Sequence, residues 1–266
     1  VVMDKLISFD IYADFGFLRK PFSNSQLDLC MTFNMLHKPA LLGIIGAILG
    51  LKGFDGVGKV PEYYKKLLNL KVGIEPIEGF HERGIFPKAS IKYNNSVGYA
   101  NTQRGVPCNW VLNEQVIIKP AYRCYVLIDN SIDDVLQEKL YHYITNCYAE
   151  YIPYLGKNEY TLWWNKEEVC EYSYARELPG SVTGRLSSII NLSKLTLSGI
   201  KNRDERASGF SCFEKLPVGF EKRGNSYQYK LEDFVYTDCI LELSMEISNI
   251  FKIELTNRII KYVQLF

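Results

Sequence analysis

The chain of 266 residues is poor in histidine, with only His37, His81 and His142, and none of these stands at metal-ligand spacing from another. A histidine-rich metal centre is therefore not expected. The seven cysteines (30, 108, 124, 147, 170, 212 and 239) are odd in number and scattered, which argues against a disulfide framework or a zinc ribbon. Reduced thiols, a cytoplasmic location and no structural metal follow as expectations. There is almost no net charge, since 31 Lys plus Arg oppose 30 Asp plus Glu to leave +1. No global field draws the molecule to polyanions, so any nucleic-acid contact must be local. Repeats and low-complexity tracts are missing, and the N-terminus does not read as a secretory signal. The apolar run "PALLGIIGAILGL" has thirteen residues, short of the ~20 that cross a bilayer. It predicts a helix buried in protein, with no membrane partner.

What is present is core-forming material, 47% hydrophobic and 14% aromatic, enough for one large domain or two modest ones. Leu6 to Tyr12 alternates, with Ile7, Phe9 and Ile11 on one face and Ser8, Asp10 and Tyr12 on the other, the signature of a half-buried strand. Pro39 suits a first helical turn, and a helix is expected over 39–51. Gly43, Gly46, Ala47 and Gly50 share one face of it, where small residues would let it approach a sheet. A short helix at "PEYYKKLLNL" and a strand at "KVGIEPIEG" follow, the strand placed at an edge or bulge by Pro76.

Residues 80–118, rich in Gly, Asn, Pro, Lys and Arg, fit a long arm or hairpin with β-like ends at 89–93 and 110–118. Residues 121–129 read as a strong strand. A capping box from Ser131 to Asp134 opens a helix over 133–149, and an aromatic strand follows at 160–164. The order strand, helix, strand, strand, helix, strand is the ferredoxin-like, RRM-like βαββαβ arrangement, with the arm inserted before the third strand. The fold class is thus α+β, with a ferredoxin-like RNA-binding domain at 1–165 and a smaller β-rich C-terminal domain at 166–266.

"GFDGVGK" at 53–59 fits the spacing of a phosphate-binding loop. Such a loop needs a preceding strand, a helix opening at the Lys and a following Ser or Thr. Here a helix precedes it, and Val60 and Pro61 follow, so no nucleotide cofactor is expected. Cations gather instead at the first strand's exit, in "FLRKPF" with Arg19, Lys20, Phe22 and Asn24, and at the first helix's N-terminus, where His37 and Lys38 stand. Helix N–H groups beside positive side chains suit a phosphate. The arm carries Arg83, Lys88, Lys92 and Arg104, with Phe86, Tyr93 and Tyr99 interleaved, a pattern that fits backbone tracking with base stacking. "YLGKNEY" presents Lys157 on a glycine turn. The alternative for the first cluster is a solvated, charged loop, for the arm a solvated hairpin, and for "YLGKNEY" a simple turn. Tyr12, His37 and Lys38 allow a second reading, metal-free RNA cleavage by acid/base chemistry.

"ISFDIYADFGFLRKPFSN" followed by "HKPALLGIIGAILGL" resembles the N-terminal signature of the CRISPR-associated Cas "five" family of the RAMP superfamily, most like its type I-B branch. "YRCYVLID" and "YLGKNEY" are similar to a later strand and glycine-rich turn of that family, and the resemblance covers the first 165 residues. It implies a non-catalytic subunit of a Cascade-type antiviral surveillance complex, with no cofactor. This subunit would hold the crRNA 5′ handle between a ferredoxin-like domain and a thumb, the thumb being the arm at about 80–118. Its partners would be that handle, the Cascade backbone subunit and the large subunit, with target DNA reached only through the complex. In one branch, of type I-C, the family member is itself the repeat endoribonuclease and uses a Tyr, a Lys and a His. Here His37 and Lys38 open the first helix and do not lie in the later segment where that branch carries its pair.

Overall fold

The structure, a computed structural model, describes residues 4–21, 29–96, 109–176, 182–194, 209–239, 241–243, 249–254 and 260–266. In chain order these form β1 (Lys5–Ala13), β2 (Phe15–Gly16), β3 (Leu29–Cys30), α1 (Lys38–Leu49), α2 (Glu62–Leu67), β4 (Lys71–Pro76), β5 (Lys88–Ser96), β6 (Asn109–Ile118), β7 (Ala121–Ile128), α3 (Asp134–Asn146) and β8 (Leu162–Trp163). They continue with β9 (Cys170–Arg176), β10 (Val182–Gly184), β11 (Ile190–Asn191), β12 (Ser211–Arg223), β13 (Ser226–Thr237), β14 (Leu241–Leu243), β15 (Ile250–Glu254) and β16 (Ile260–Gln264). The fold is mixed α/β, mostly β, with several sheets and few helices. Among the described residues no helix is long and apolar enough to cross a membrane.

The main sheet is antiparallel and runs β16-β15-β9-β1-β7-β4, with β8 also paired to β1. α1 connects β1 to β4 and α3 follows β7, and both helices lie on one face. Ile7, Phe9 and Ile11 of β1 and Tyr122, Cys124 and Val126 of β7 share a core there with Leu41, Leu42, Ile45 and Ile48 of α1 and Leu140 and Ile144 of α3. Each such aliphatic side chain, fully buried, contributes about 1.5–3 kcal/mol.

The opposite face is not left to solvent, contrary to the half-buried expectation for β1. Ser8 and Asp10 are buried as well, because the sheet bends back over itself. Phe266 exchanges main-chain hydrogen bonds with Val72 of β4 (2.9 and 3.3 Å), so the sheet's two outer strands meet. Leu6, Tyr125, Leu127, Phe251, Ile253, Val263 and Leu265 fill the enclosed space. Asp10 is tolerated there because its cross-strand partner Arg123 donates to both carboxylate oxygens, at 2.7 and 2.6 Å, a bidentate, charge-assisted geometry that offsets the cost of burial.

Two details of the helices differ from the sequence pattern. The small-residue face of α1 does not meet the sheet. A Cβ on Gly46 would lie 2.5 Å from Cβ of Tyr63, and Gly43 also faces that ring, so the glycines seat the residue before Tyr64 in α2. In α3 the cap is Asp133, whose side chain accepts from the Val135 N–H at 3.0 Å; Ser131 plays no capping part. The helix ends three residues early, because Cys147 turns into the left-handed region at φ 56°.

The arm is an antiparallel β5–β6 hairpin, in register from Lys88 opposite Ile117 to Ser96 opposite Asn109. Phe17, Cys30, Val116 and Tyr160 pack at its base. β12 and β13 form a second long hairpin, bulged at Pro217/Gly219 and joined by β11. Its residues Leu216 and Phe234 enter the helix-side core.

One contact fixes how the glycine turn meets the first strand's exit. Gly156 has φ 89°, and a Cβ there would lie 1.8 Å from the Phe17 carbonyl oxygen. Gly156→Ala is expected to cost at least about 2 kcal/mol from backbone strain and displacement. Gly53→Ala, which meets nothing within 4 Å, should change stability little; urea midpoints compare the two.

Candidate nucleic-acid interface

Past β2 the chain runs antiparallel to its own later segment. Lys20 N–H donates to Met31 O, Phe33 N–H to Leu18 O, and Leu18 N–H to Thr32 Oγ1 at 2.9 Å. The glycine turn then docks on this pair, Phe17 N–H donating to Leu155 O at 3.0 Å. The result is a cleft of about 370 Å³ between Phe17–Arg19, the N-terminus of α1, the Tyr154–Lys157 turn and the β12–β13 hairpin. Arg19, His37 and Lys157, far apart in sequence, all line it.

Its two cations differ. Arg19 is exposed. Lys157 Nζ lies 2.7 Å from Oε2 of the buried Glu114 on β6 and 4.4 Å from the Tyr93 ring centroid. Burial works against the Lys157 charge, and the Glu114 carboxylate more than offsets it, so the ammonium titrates above the ordinary lysine range. The Tyr93 hydroxyl meets that of Tyr160 at 2.6 Å, which holds the ring beside Lys157.

The cleft walls are aromatic. Phe220 and Tyr229 of the C-terminal hairpin stack at 5.3 Å and 17°, and Phe17, Phe54, Tyr63 and Tyr154 add further rings to a lining that also includes Pro39, Ala40 and Ile44. Tyr154 is 46% exposed and Phe54 66%, so flat surface is open to a ligand.

His37 lies at the cleft's floor and is 2% exposed. Its Nδ1 accepts from the Ala40 N–H at 3.3 Å, capping α1, and Phe33 and Tyr229 meet its ring edge-on. Burial pushes its pKa down to about 3. It is a neutral cap and supplies no positive charge to an anion near pH 7.

The other sequence candidates take other positions. Lys38 Nζ donates to the Phe266 main-chain carbonyl at 3.0 Å. Lys20 pairs with Glu214 of β12 at 3.0 Å. Lys88 donates to Asn34 Oδ1 at 2.7 Å, and burial lowers its pKa. Arg83 occupies a turn at φ 50°, beside a separate cleft with Phe80 and His81. Lys92 projects from β5 into solvent. Phe22, Asn24 and Arg104 lie outside the described residues, and the "GFDGVGK" loop is followed by neither a helix at Lys59 nor a hydroxyl.

Sequence reasoning missed Glu114, Tyr63, Phe54, Phe220 and Tyr229. Tyr154 opens the "YLGKNEY" turn, but nothing local distinguishes Phe220 or Tyr229 from core residues of a β-hairpin.

No protein-family model matches the chain, and no curated protein matches it in sequence. Among solved structures, a chain of a CRISPR RNA-guided surveillance complex is similar at TM-score 0.48 and 14% identity, over 89% of this chain and 92% of that one. A CRISPR protein from Archaeoglobus fulgidus is similar at TM-score 0.46 and 12% identity, over 97% and 98%. A chain of a Type III-B Cmr-beta complex bound to cognate target RNA and AMPPnP is similar at TM-score 0.44 and 10% identity, over 90% and 86%.

The His37 cap carries a pH signature. The unfolded chain takes up this proton near pH 6.5 and the native state only near 3, so the unfolded state holds more protons between those values. Stability is unaffected by this group above pH 6.5 and falls as the pH drops through the window, by about 2 kcal/mol at pH 5. His37→Asn keeps a capping side chain and removes the titration. Its unfolding free energy relative to wild type should therefore improve by that amount between pH 7.5 and pH 5 in urea titrations; a constant difference would mean that native His37 titrates normally.

Proposed function

We propose that the chain is a CRISPR-associated, Cas "five"-like subunit, closest to type I-B, that binds the 5′ handle of crRNA and caps the backbone of a Cascade-type complex without cutting RNA. The order β8-β1-β7-β4, all antiparallel with α1 and α3 on one face, supports the ferredoxin-like, RRM-like part of this reading. The β5–β6 hairpin stands where the thumb would be inserted, before β7. On this reading residues 1–165 supply the cations, and residues 166–266 close the cleft with Phe220 and Tyr229.

The observation that carries the proposal is the cleft, in which Arg19 and Lys157 meet open aromatic rings. A phosphate bound by Arg19 and shared with Lys157 would leave the adjoining base over an aromatic face, the general mode of single-strand RNA recognition. Lys157 must exchange Glu114 for that phosphate, which keeps affinity modest. The neutral, capping role of His37 supports the non-catalytic part, since an acid/base catalyst needs a pKa near the working pH.

Arg19→Ala should weaken binding of single-stranded repeat RNA about tenfold, and lower the slope of log K against log salt by about 0.7. Glu114→Gln should strengthen binding by freeing Lys157. Fluorescence anisotropy over a salt series measures both, and equal affinity for matched DNA would count against 2′-hydroxyl recognition. Incubation with repeat RNA in EDTA should yield no discrete cut. A specific cut lost in His37→Ala would replace the proposal with the endoribonuclease reading.

A further inference from the structure

We infer that the helix-free face of the main sheet carries a second RNA contact, a strip of three aromatic rings that stacks unpaired nucleobases. The inference goes beyond the cleft and rests on the cleft reading only for the class of ligand.

Tyr12 of β1 and Trp163 of β8 are direct cross-strand partners. Both point to the face opposite α1 and α3, since their neighbours Ala13 and Leu162 belong to the helix-side core. Their ring centroids lie 6.4 Å apart with planes 26° apart, and Phe80 continues the row at 5.7 Å from Tyr12. The rings wall one open cleft of about 280 Å³. β15 and β16 cover this face of the sheet around Leu6 but do not line the Tyr12 end.

The exposure is selective. Trp163 is 44% exposed, whereas Trp164, on the other face, is 8% exposed and spends its Nε1–H on the Ile144 carbonyl. Phe80 is 37% exposed. Tyr12, between them, is half-buried and stacks on Trp163, so the surface open to a ligand is that of the two outer rings, Trp163 and Phe80.

The rest of the lining selects the ligand. It holds Ala13 and Pro120 with the polar Asp14, Lys119 and Asn165. Leu, Ile and Val are absent from that lining, so there is little aliphatic surface for a protein partner. Asp14, and Glu168 at the Tyr12 hydroxyl, oppose a phosphate beside them, while Lys119 attracts one. Flat bases over the rings with the backbone toward Lys119 satisfy both. Continuity also favours a nucleic-acid strand, because the short stretch from Leu155 to Trp163 lines the Arg19 cleft at one end and this strip at the other.

The test uses a fluorescein-labelled single-stranded RNA of mixed sequence, the full chain, and the variants Trp163→Ala, Trp163→Phe and Arg19→Ala. Trp163→Ala should weaken binding roughly 5- to 150-fold with an unchanged salt slope, because no phosphate contact is lost, and Trp163→Phe should recover most of the affinity. Crosslinking with 4-thiouridine RNA, mapped by peptide mass spectrometry, should mark Tyr12 or Trp163. Wild-type affinity in Trp163→Ala alongside weakening in Arg19→Ala overturns the strip and leaves the cleft standing. Absence of RNA binding by the wild-type chain overturns both. Urea midpoints confirm that the variants are folded.

Discussion

The site depends on one polar junction, where Glu214 meets Asn34. The Glu214 carboxylate accepts from the main-chain N–H groups of Asn34 and Met35 at 3.0 to 3.1 Å and pairs with Lys20. Asn34 uses the rest of its hydrogen-bonding capacity on other elements. Its Nδ2 donates to Gly84 O, its Oδ1 accepts from Phe86 N–H and Lys88, and its carbonyl accepts from the Tyr122 hydroxyl. The segment before α1 is thereby tied to β12, to the entry of β5 and to β7 at once. Asn34 itself is buried, so losing one of its partners leaves a buried polar group unsatisfied at about 1–3 kcal/mol. The direction of α1, the depth of His37 and the position of the Phe220–Tyr229 wall all follow from this junction.

The same economy sets the charges available to the proposed anion site of an almost neutral chain. Lys20, Lys38, Lys88 and Lys157 each have a partner within the fold, so cationic residues clustered in sequence serve largely to hold loops together. Arg19, which is exposed, and Lys157, paired with Glu114, both line the cleft. Stacking surface therefore matters as much as charge, both in the cleft and in the row of Trp163, Tyr12 and Phe80. On the proposed reading, charge would contact the backbone and the rings of both places would stack bases, the division general to single-strand binding.

Local patterning was informative where one physical constraint dominates. Period-2 alternation marked β1 and β7, and a proline followed by an apolar run marked α1 to within a residue or two. It failed where two constraints compete. Ser8 and Asp10 look solvent-facing, but Arg123 and the returning strands bury them. The small face of α1 looks sheet-facing, but it receives Tyr63. Of the candidate site, Arg19, His37 and Lys157 were legible as polar residues in glycine- and proline-rich surroundings. The aromatic walls were not, because an aromatic residue in an alternating hairpin has the same local signature whether it lines a cleft or fills a core.

By itself the sequence determined the order and type of the main elements and the absence of any field strong enough to act without a local site. These depend on neighbours within a few residues, which the chain order already specifies. The tertiary structure alone decided that His37 is a neutral cap, that Lys38 turns to Phe266, and that Lys157 is shared with Glu114. It also set Phe220 and Tyr229 beside Arg19 and aligned Trp163 with Tyr12 and Phe80. Those outcomes depend on desolvation and on contacts between residues as far as 228 positions apart, for which no local pattern exists.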